Sequence, residues 1–140
     1  GDLLLKSGLF RLLYLLEKDA SVELEADPGE RDLIRPVLRY MEEHYEENIT
    51  VTQLAACCNL SKSYFMSCFK KTTGISAVEH LIQLRIRAVC QELNKTDRSI
   101  SEIAADCGYG NLSNFNRQFK KCVGCSPGNY RKMIKNNGKM

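Results

Sequence analysis

Leu112, Ser113, Asn116, Arg117 and Lys120 fall at i, i+1, i+4, i+5 and i+8, a spacing that puts five side chains on one side of a helix. The first four have the chemistry needed to recognise a base-pair edge. Arginine donates two parallel N–H bonds to guanine O6 and N7, asparagine pairs with adenine N6 and N7, serine pairs with several bases, and leucine touches a thymine methyl. Fifty residues earlier the matching positions are Lys62, Ser63, Met66, Ser67 and Lys70. That face offers a long cation, two hydroxyls and an apolar methionine, with no Arg, Asn or Gln. The second face is therefore expected to discriminate bases more sharply than the first. A plain solvated surface is the competing reading of both, and duplication argues against it.

The duplication is extensive. Residues 69–76 read FKKTTGIS and residues 119–126 read FKKCVGCS. Thr50-Val51-Thr52-Gln53 matches Ser99-Ile100-Ser101-Glu102, and both are capping boxes, a hydroxyl at the N-cap with Gln or Glu three residues on. Leu54-Ala55-Ala56 matches Ile103-Ala104-Ala105 at an offset of 49; one inserted residue makes the offset 50 from Ser63/Ser113 onward. Each copy predicts a short capped helix with alanines where it approaches its neighbour and a turn, CNLS or CGYGN. A second helix then begins near Ser61 or Asn111 and closes at Gly74 or Gly124. Phe65, Cys68 and Phe69, with Phe115 and Phe119 in the other copy, fall on the opposite side and read as core. Two short helices joined by a tight turn are the layout of a helix-turn-helix, whose second helix enters the DNA major groove.

Between the copies, residues 76–95 predict one long helix. Ile82, Ile86, Val89 and Leu93 form a stripe, and Val78, Leu81 and Leu84 an adjoining apolar face. Nineteen residues span roughly 28 Å, close to the about 34 Å of one B-DNA turn, so two recognition helices in successive major grooves are the expected geometry. Upstream, 32–47 predicts a helix with Pro36 in its first turn, after an acidic linker 19–32 in which Pro28-Gly29 marks a turn. Residues 126–135 predict a last helix with Pro127 behind a Ser126 cap. Residues 3–18 predict an amphipathic helix, too short to span a bilayer and interrupted by Lys6 and Arg11.

Charge narrows the partner. Residues 1–30 hold three basic against seven acidic side chains, whereas residues from Cys58 onward hold fourteen basic against five acidic. A basic region of that kind points to a polyanion, nucleic acid before membrane. Lys70, Lys71, Lys120 and Lys121 at the helix ends, with Arg131 in the last helix, suit phosphate, and the helix starts at Thr50 and Ser99 can add backbone N–H groups. The seven cysteines lack a disulfide-scaffold pattern and read as reduced, mostly core-filling thiols of a cytoplasmic protein. Cys122-x-x-Cys125 has redox or metal spacing but no second pair nearby. A thiol- or metal-responsive switch is thus a lesser alternative, as is a basic face that docks protein instead of DNA. No cofactor or metal is expected. His44 and His80 lie in no nucleophile pattern, and neither a Gly-rich phosphate loop nor HExxH occurs, so no enzyme chemistry is expected either.

Residues 49–133, through ITVTQLAACCNLSKSYFMSCFKKTTGIS, LIQLRIRAV and SISEIAADCGYGNLSNFNRQFKKCVGCSPGNYRK, resemble the DNA-binding domain of AraC/XylS-type bacterial transcriptional regulators. The resemblance implies an all-α fold of seven helices, with two helix-turn-helix subdomains (about 50–73 and 99–123) joined by a connector helix (about 76–94) within a DNA-binding domain at 31–136. It also implies that residues 1–30 are a helix and linker left from a preceding regulatory or dimerisation domain, the chain being a fragment. Lys62, Ser63, Met66, Ser67, Leu112, Ser113, Asn116 and Arg117 then read bases, while Thr50, Lys70, Lys71, Ser99, Lys120, Lys121 and Arg131 hold phosphates. Arg85, at a connector position that is often basic, would stabilise packing between subdomains. Double-stranded DNA is the implied partner. Room is left for RNA polymerase and for a homodimer through Leu5, Leu9, Leu12, Leu13 and Leu16 of the N-terminal helix, and no membrane is involved.

Overall fold

The computed structural model describes residues 28–137, so the expected helix over 3–18 and most of the acidic linker lie outside the described residues. Among the described residues are seven helices and no strand: α1 (Pro28–His44), α2 (Val51–Cys57), α3 (Lys62–Thr73), α4 (Ala77–Lys95), α5 (Ile100–Asp106), α6 (Leu112–Val123) and α7 (Pro127–Asn137). They fall into two units, one ending at Leu84 and the other beginning at Arg85, with the boundary inside α4.

Each unit is a helix-turn-helix on its own aromatic core. In the first, Phe65 and Phe69 of α3 are fully buried with Ile34, Val37 and Met41 of α1 and with Leu54 and Ala55 of α2. Their ring centroids are 5.7 Å apart, and Phe69 meets His80 edge-on at 5.6 Å. In the second, Phe115 and Phe119 lie 5.8 Å apart; Tyr109 packs on Phe115 at 5.1 Å and Tyr130 on Phe119 at 5.7 Å. Ile86, Val89 and Leu93 of α4 and Ile103 of α5 are also fully buried there.

Turn and cap geometry repeats residue for residue. Leu60 N donates to Ala55 O at 3.1 Å, and Tyr109 N to Ala104 O at 3.0 Å. The residue before each is left-handed, Asn59 at φ 56° and Gly108 at φ 107°, a conformation open to glycine and tolerated by asparagine. Leu60 and Tyr109 are therefore equivalent, and Gly110 is the inserted residue. Gly74 and Gly124 close the second helices at φ 83° and 99°, their N–H groups bonded to Lys70 O and Lys120 O, because a Cβ disfavours that region.

Several expectations are corrected. Helix α1 starts at Pro28, not at 32, and ends at His44, not at 47. Pro28 occupies the first helical position, where its missing N–H is no loss, so Pro28-Gly29 is a helix start and not a turn. Pro36 consequently lies inside the helix. Only the first alanine of each pair is buried; Ala56 and Ala105 are exposed. Of the cysteines, Cys68, Cys90 and Cys107 fill core, Cys58, Cys122 and Cys125 are half-buried and Cys57 is exposed. On the adjoining face of α4, Leu84 is buried but Val78 is 53 % exposed, since that first turn packs through another side, where Ala77 and His80 are buried.

Candidate nucleic-acid interface

The buried phenylalanines fix which side of each recognition helix faces out. Phe65, Cys68 and Phe69 anchor α3, which leaves Lys62, Ser63, Met66, Ser67 and Lys70 exposed. Phe115 and Phe119 anchor α6, which leaves Leu112, Ser113, Asn116, Arg117 and Lys120 exposed. The first turn of each helix is pinned by a side-chain cap, Ser61 Oγ accepting from Tyr64 N at 3.2 Å and Asn111 Oδ1 from Asn114 N at 2.9 Å. All eight residues expected to read bases therefore stand on two outward faces, four on each unit. Met66 and Leu112 are 46 % and 49 % exposed. Met66, Ser67 and Lys70 also line a groove with Val51, Ser76 and Val78.

The phosphate candidates differ in exposure and in the bonds the fold gives them. Lys70 and Lys120 are exposed at the C-terminal ends of α3 and α6, and Lys121 is exposed beside the latter. Lys71 Nζ donates to Glu30 Oε1 of α1 at 3.3 Å. Arg131 is half-buried, and its Nη2 donates to Thr96 O at 3.1 Å. There the guanidinium meets the carbonyl end of α4, where a cation is favourable. The hydroxyls of Thr50 and Ser99 serve as caps for Gln53 N and Glu102 N, at 3.2 Å each. Only Thr50 completes a capping box, Gln53 Oε1 accepting from Thr50 N at 2.9 Å. The Glu102 carboxylate instead lies 3.7 Å from Arg98 Nε.

Behind Arg117 lies a set of side chains that the sequence reading did not single out. Arg117 Nη2 donates to Asn114 Oδ1 at 2.7 Å, and Tyr109 OH donates to Gln118 Oε1 at 2.6 Å. Asn114 and Gln118 stand four apart on α6, and Gln118 Nε2 is 3.4 Å from Asn114 Oδ1. The only sequence signal for them is their i, i+4 spacing. Arg85 lies over the Tyr109 ring at 5.8 Å, within the same unit. Burial lowers the Arg85 pKa and raises that of Tyr109, which stays a neutral donor.

Where burial shifts a thiol, it shifts it away from thiolate. Burial raises the pKa of Cys58, Cys68 and Cys125 and pushes Cys90 up to about 12, the opposite of what a reactive thiolate needs. Among the described residues, no group of three or more His, Cys, Asp or Glu is placed to hold a metal. No helix there is long and apolar enough to cross a membrane.

Comparisons with known proteins bear on this geometry. A family model described as a helix-turn-helix domain matches residues 54–133. The MmsAB operon regulatory protein of Pseudomonas aeruginosa is 38 % identical over 96 residues, 69 % of this chain and 31 % of that protein. The chain thus spans about a third of that relative's length. The DNA-binding domain of AdpA, a global transcriptional factor solved in complex with a target DNA, is 28 % identical with a TM-score of 0.72, covering 80 % of this chain and 96 % of that one. An AraC-type transcriptional regulator from Chromobacterium violaceum matches with a TM-score of 0.69 at 21 % identity, covering 77 % of this chain and 96 % of that one. At that identity the match speaks for the fold alone.

Proposed function

The chain belongs to the AraC-type helix-turn-helix family, and on that premise we propose that it binds double-stranded promoter DNA sequence-specifically and regulates transcription. The observation that carries the reading is the pair of outward faces held by identical aromatic anchors. In this proposal α3 and α6 enter successive major grooves. Leu112, Ser113, Asn116 and Arg117 read bases from α6, and Lys62, Ser63, Met66 and Ser67 read them from α3. Lys70, Lys120 and Lys121 neutralise phosphates, assisted by backbone N–H groups at the helix starts after Thr50 and Ser99. Lys71 also bonds Glu30, and Arg131 the Thr96 carbonyl; reaching phosphate from these two positions means sharing or exchanging those bonds.

The same proposal takes residues 31–136 as the DNA-binding domain and residues 1–30 as the tail of a regulatory or dimerisation part. The leucine face of 3–18 is offered to that part or to a second copy, and RNA polymerase is a further partner of the assembled regulator. Selection of binding sites from a random duplex library tests the core of this reading. Two short enriched blocks about one helical turn apart are expected, with affinity falling steeply as salt rises. A single enriched block would reduce one helix to a phosphate clamp, and no enrichment would sink sequence-specific reading by this chain.

A further inference from the structure

A polar chain in the second unit runs from the buried turn tyrosine to the tip of the reading face, and each of its bonds has a forced direction. Tyr109 is 7 % exposed, wedged against Phe115 and beneath Arg85. A neutral phenol can donate or accept. It donates here because Arg117 Nη2, 2.7 Å from Asn114 Oδ1, can only donate to that oxygen. That leaves Gln118 Nε2 to face the same oxygen at 3.4 Å, and Gln118 Oε1 to accept from Tyr109 OH at 2.6 Å. The main chain at Asn114 is held by its backbone N–H, which donates to Asn111 Oδ1. Arg117 spends one donor here and keeps the rest of its five for a ligand.

We infer that Tyr109, Gln118 and Asn114 are positioning residues that hold the Arg117 guanidinium in one orientation, so that they set base specificity without touching DNA. The inference rests on the DNA-reading function proposed above and deepens it. A long flexible side chain ordered before binding loses less freedom on binding, and its planar fork matches only a base edge that meets it in that orientation. The first copy has no counterpart: the equivalent positions are Leu60, Tyr64, Ser67 and Cys68, which supply neither the amide pair nor the arginine.

The test uses the full chain with Tyr109→Phe, which keeps the ring, and Gln118→Leu, which changes only a half-buried position. Side-chain 15N NMR of the Arg117 guanidinium in the DNA-free protein is expected to show it ordered in the parent and mobile in both variants. The affinity ratio between the selected site and the same site with the Arg117-facing base changed should fall about two- to tenfold, the size of one neutral hydrogen bond. Binding to unrelated duplex and its salt slope should not change. In an Arg117→Ala background neither variant should lower the ratio further. Unchanged guanidinium order in both variants overturns the inference, and so does an equal loss in the Arg117→Ala background, which would mean general loosening of α6. A uniform loss across all sequences would make Arg117 a phosphate contact and overturn its base-reading part. If the parent selects no sequence at all, the DNA-reading proposal fails, while the NMR arm still decides whether the three residues order Arg117.

Discussion

Helices α3 and α6 have the same length, the same paired phenylalanines and the same left-handed glycine at the end, yet their outward faces are supported differently. Behind α3, the equivalents of the tyrosine and the two amides are Leu60, Tyr64 and Cys68; Leu60 is half-buried, Cys68 is core, and Tyr64 is 51 % exposed. Behind α6, Tyr109, Gln118 and Asn114 form a bonded path to Arg117. The two copies share a scaffold of packing, whereas the polar support is present in the second copy and not in the first. Packing is set by residues that a change of partner leaves alone; reading is set by residues that can diverge without unfolding the helix.

The largest expected effects test the shared half of that comparison. Phe69→Ala and Phe119→Ala each empty a fully buried site and are expected to cost about 3–5 kcal/mol. Phe69 loses Phe65 and His80, and Phe119 loses Phe115 and Tyr130, at nearly equal ring distances. Urea unfolding of the two variants should therefore give similar losses. A difference above about 2 kcal/mol, beyond the usual spread at fixed chemistry, would mean that the two cores are not energetically equivalent.

The next pair tests the half that diverged. Arg117→Ala is expected to lower discrimination at one base pair by about 1–3 kcal/mol, the value of a bidentate contact. Ser67→Ala, at the equivalent position of α3, removes only a hydroxyl and is expected to change discrimination by less. Competition binding against single-base variants of the selected site measures both. If Ser67→Ala relaxed base preference while Arg117→Ala left it intact, the ranking of the two helices would be reversed.

Much of this was legible in the sequence because it rests on local chemistry. Thr50, Ser61, Ser99 and Asn111 at helix starts, Gly74 and Gly124 at helix ends, and phenylalanines at i and i+4 fix the elements without knowledge of the fold. The illegible part depends on what packs from a distance. Pro28 and Pro36 are both compatible with a first turn, and the first wins, with Glu30 of that turn reaching Lys71 forty-one residues away. Arg131 looks like any basic residue of a terminal helix until Thr96 O is found beneath it. Val78 fits an apolar stripe by spacing, but burial depends on which side of that turn meets a neighbour, and there Ala77 and His80 are buried instead. The tyrosine–amide chain was hidden for a related reason: Tyr109 sits beside the inserted Gly110, and nothing local tells that its hydroxyl reaches nine residues ahead.

The smallest expected difference lies in the caps, which look alike in sequence and are not alike in bonding. Thr50→Ala removes an acceptor for Gln53 N and should cost about 1 kcal/mol. Ser99→Ala removes the same bond to Glu102 N, but the cap of α5 has no reciprocal side-chain bond coupled to it. The loss at Ser99 should therefore be smaller by a few tenths of a kcal/mol, of the order by which cap residues differ among themselves. Gln53→Ala should add a measurable loss of its own, because Gln53 Oε1 accepts from Thr50 N, whereas Glu102→Ala should leave the cap of α5 intact. Amide exchange at Gln53 and Glu102, compared with global urea unfolding, separates the two bonds. Equal losses at Thr50 and Ser99, with Gln53→Ala silent, would show that the reciprocal bond contributes nothing. The two copies would then be energetically interchangeable up to the first residue of their recognition helices, and divergence would begin only at the reading face.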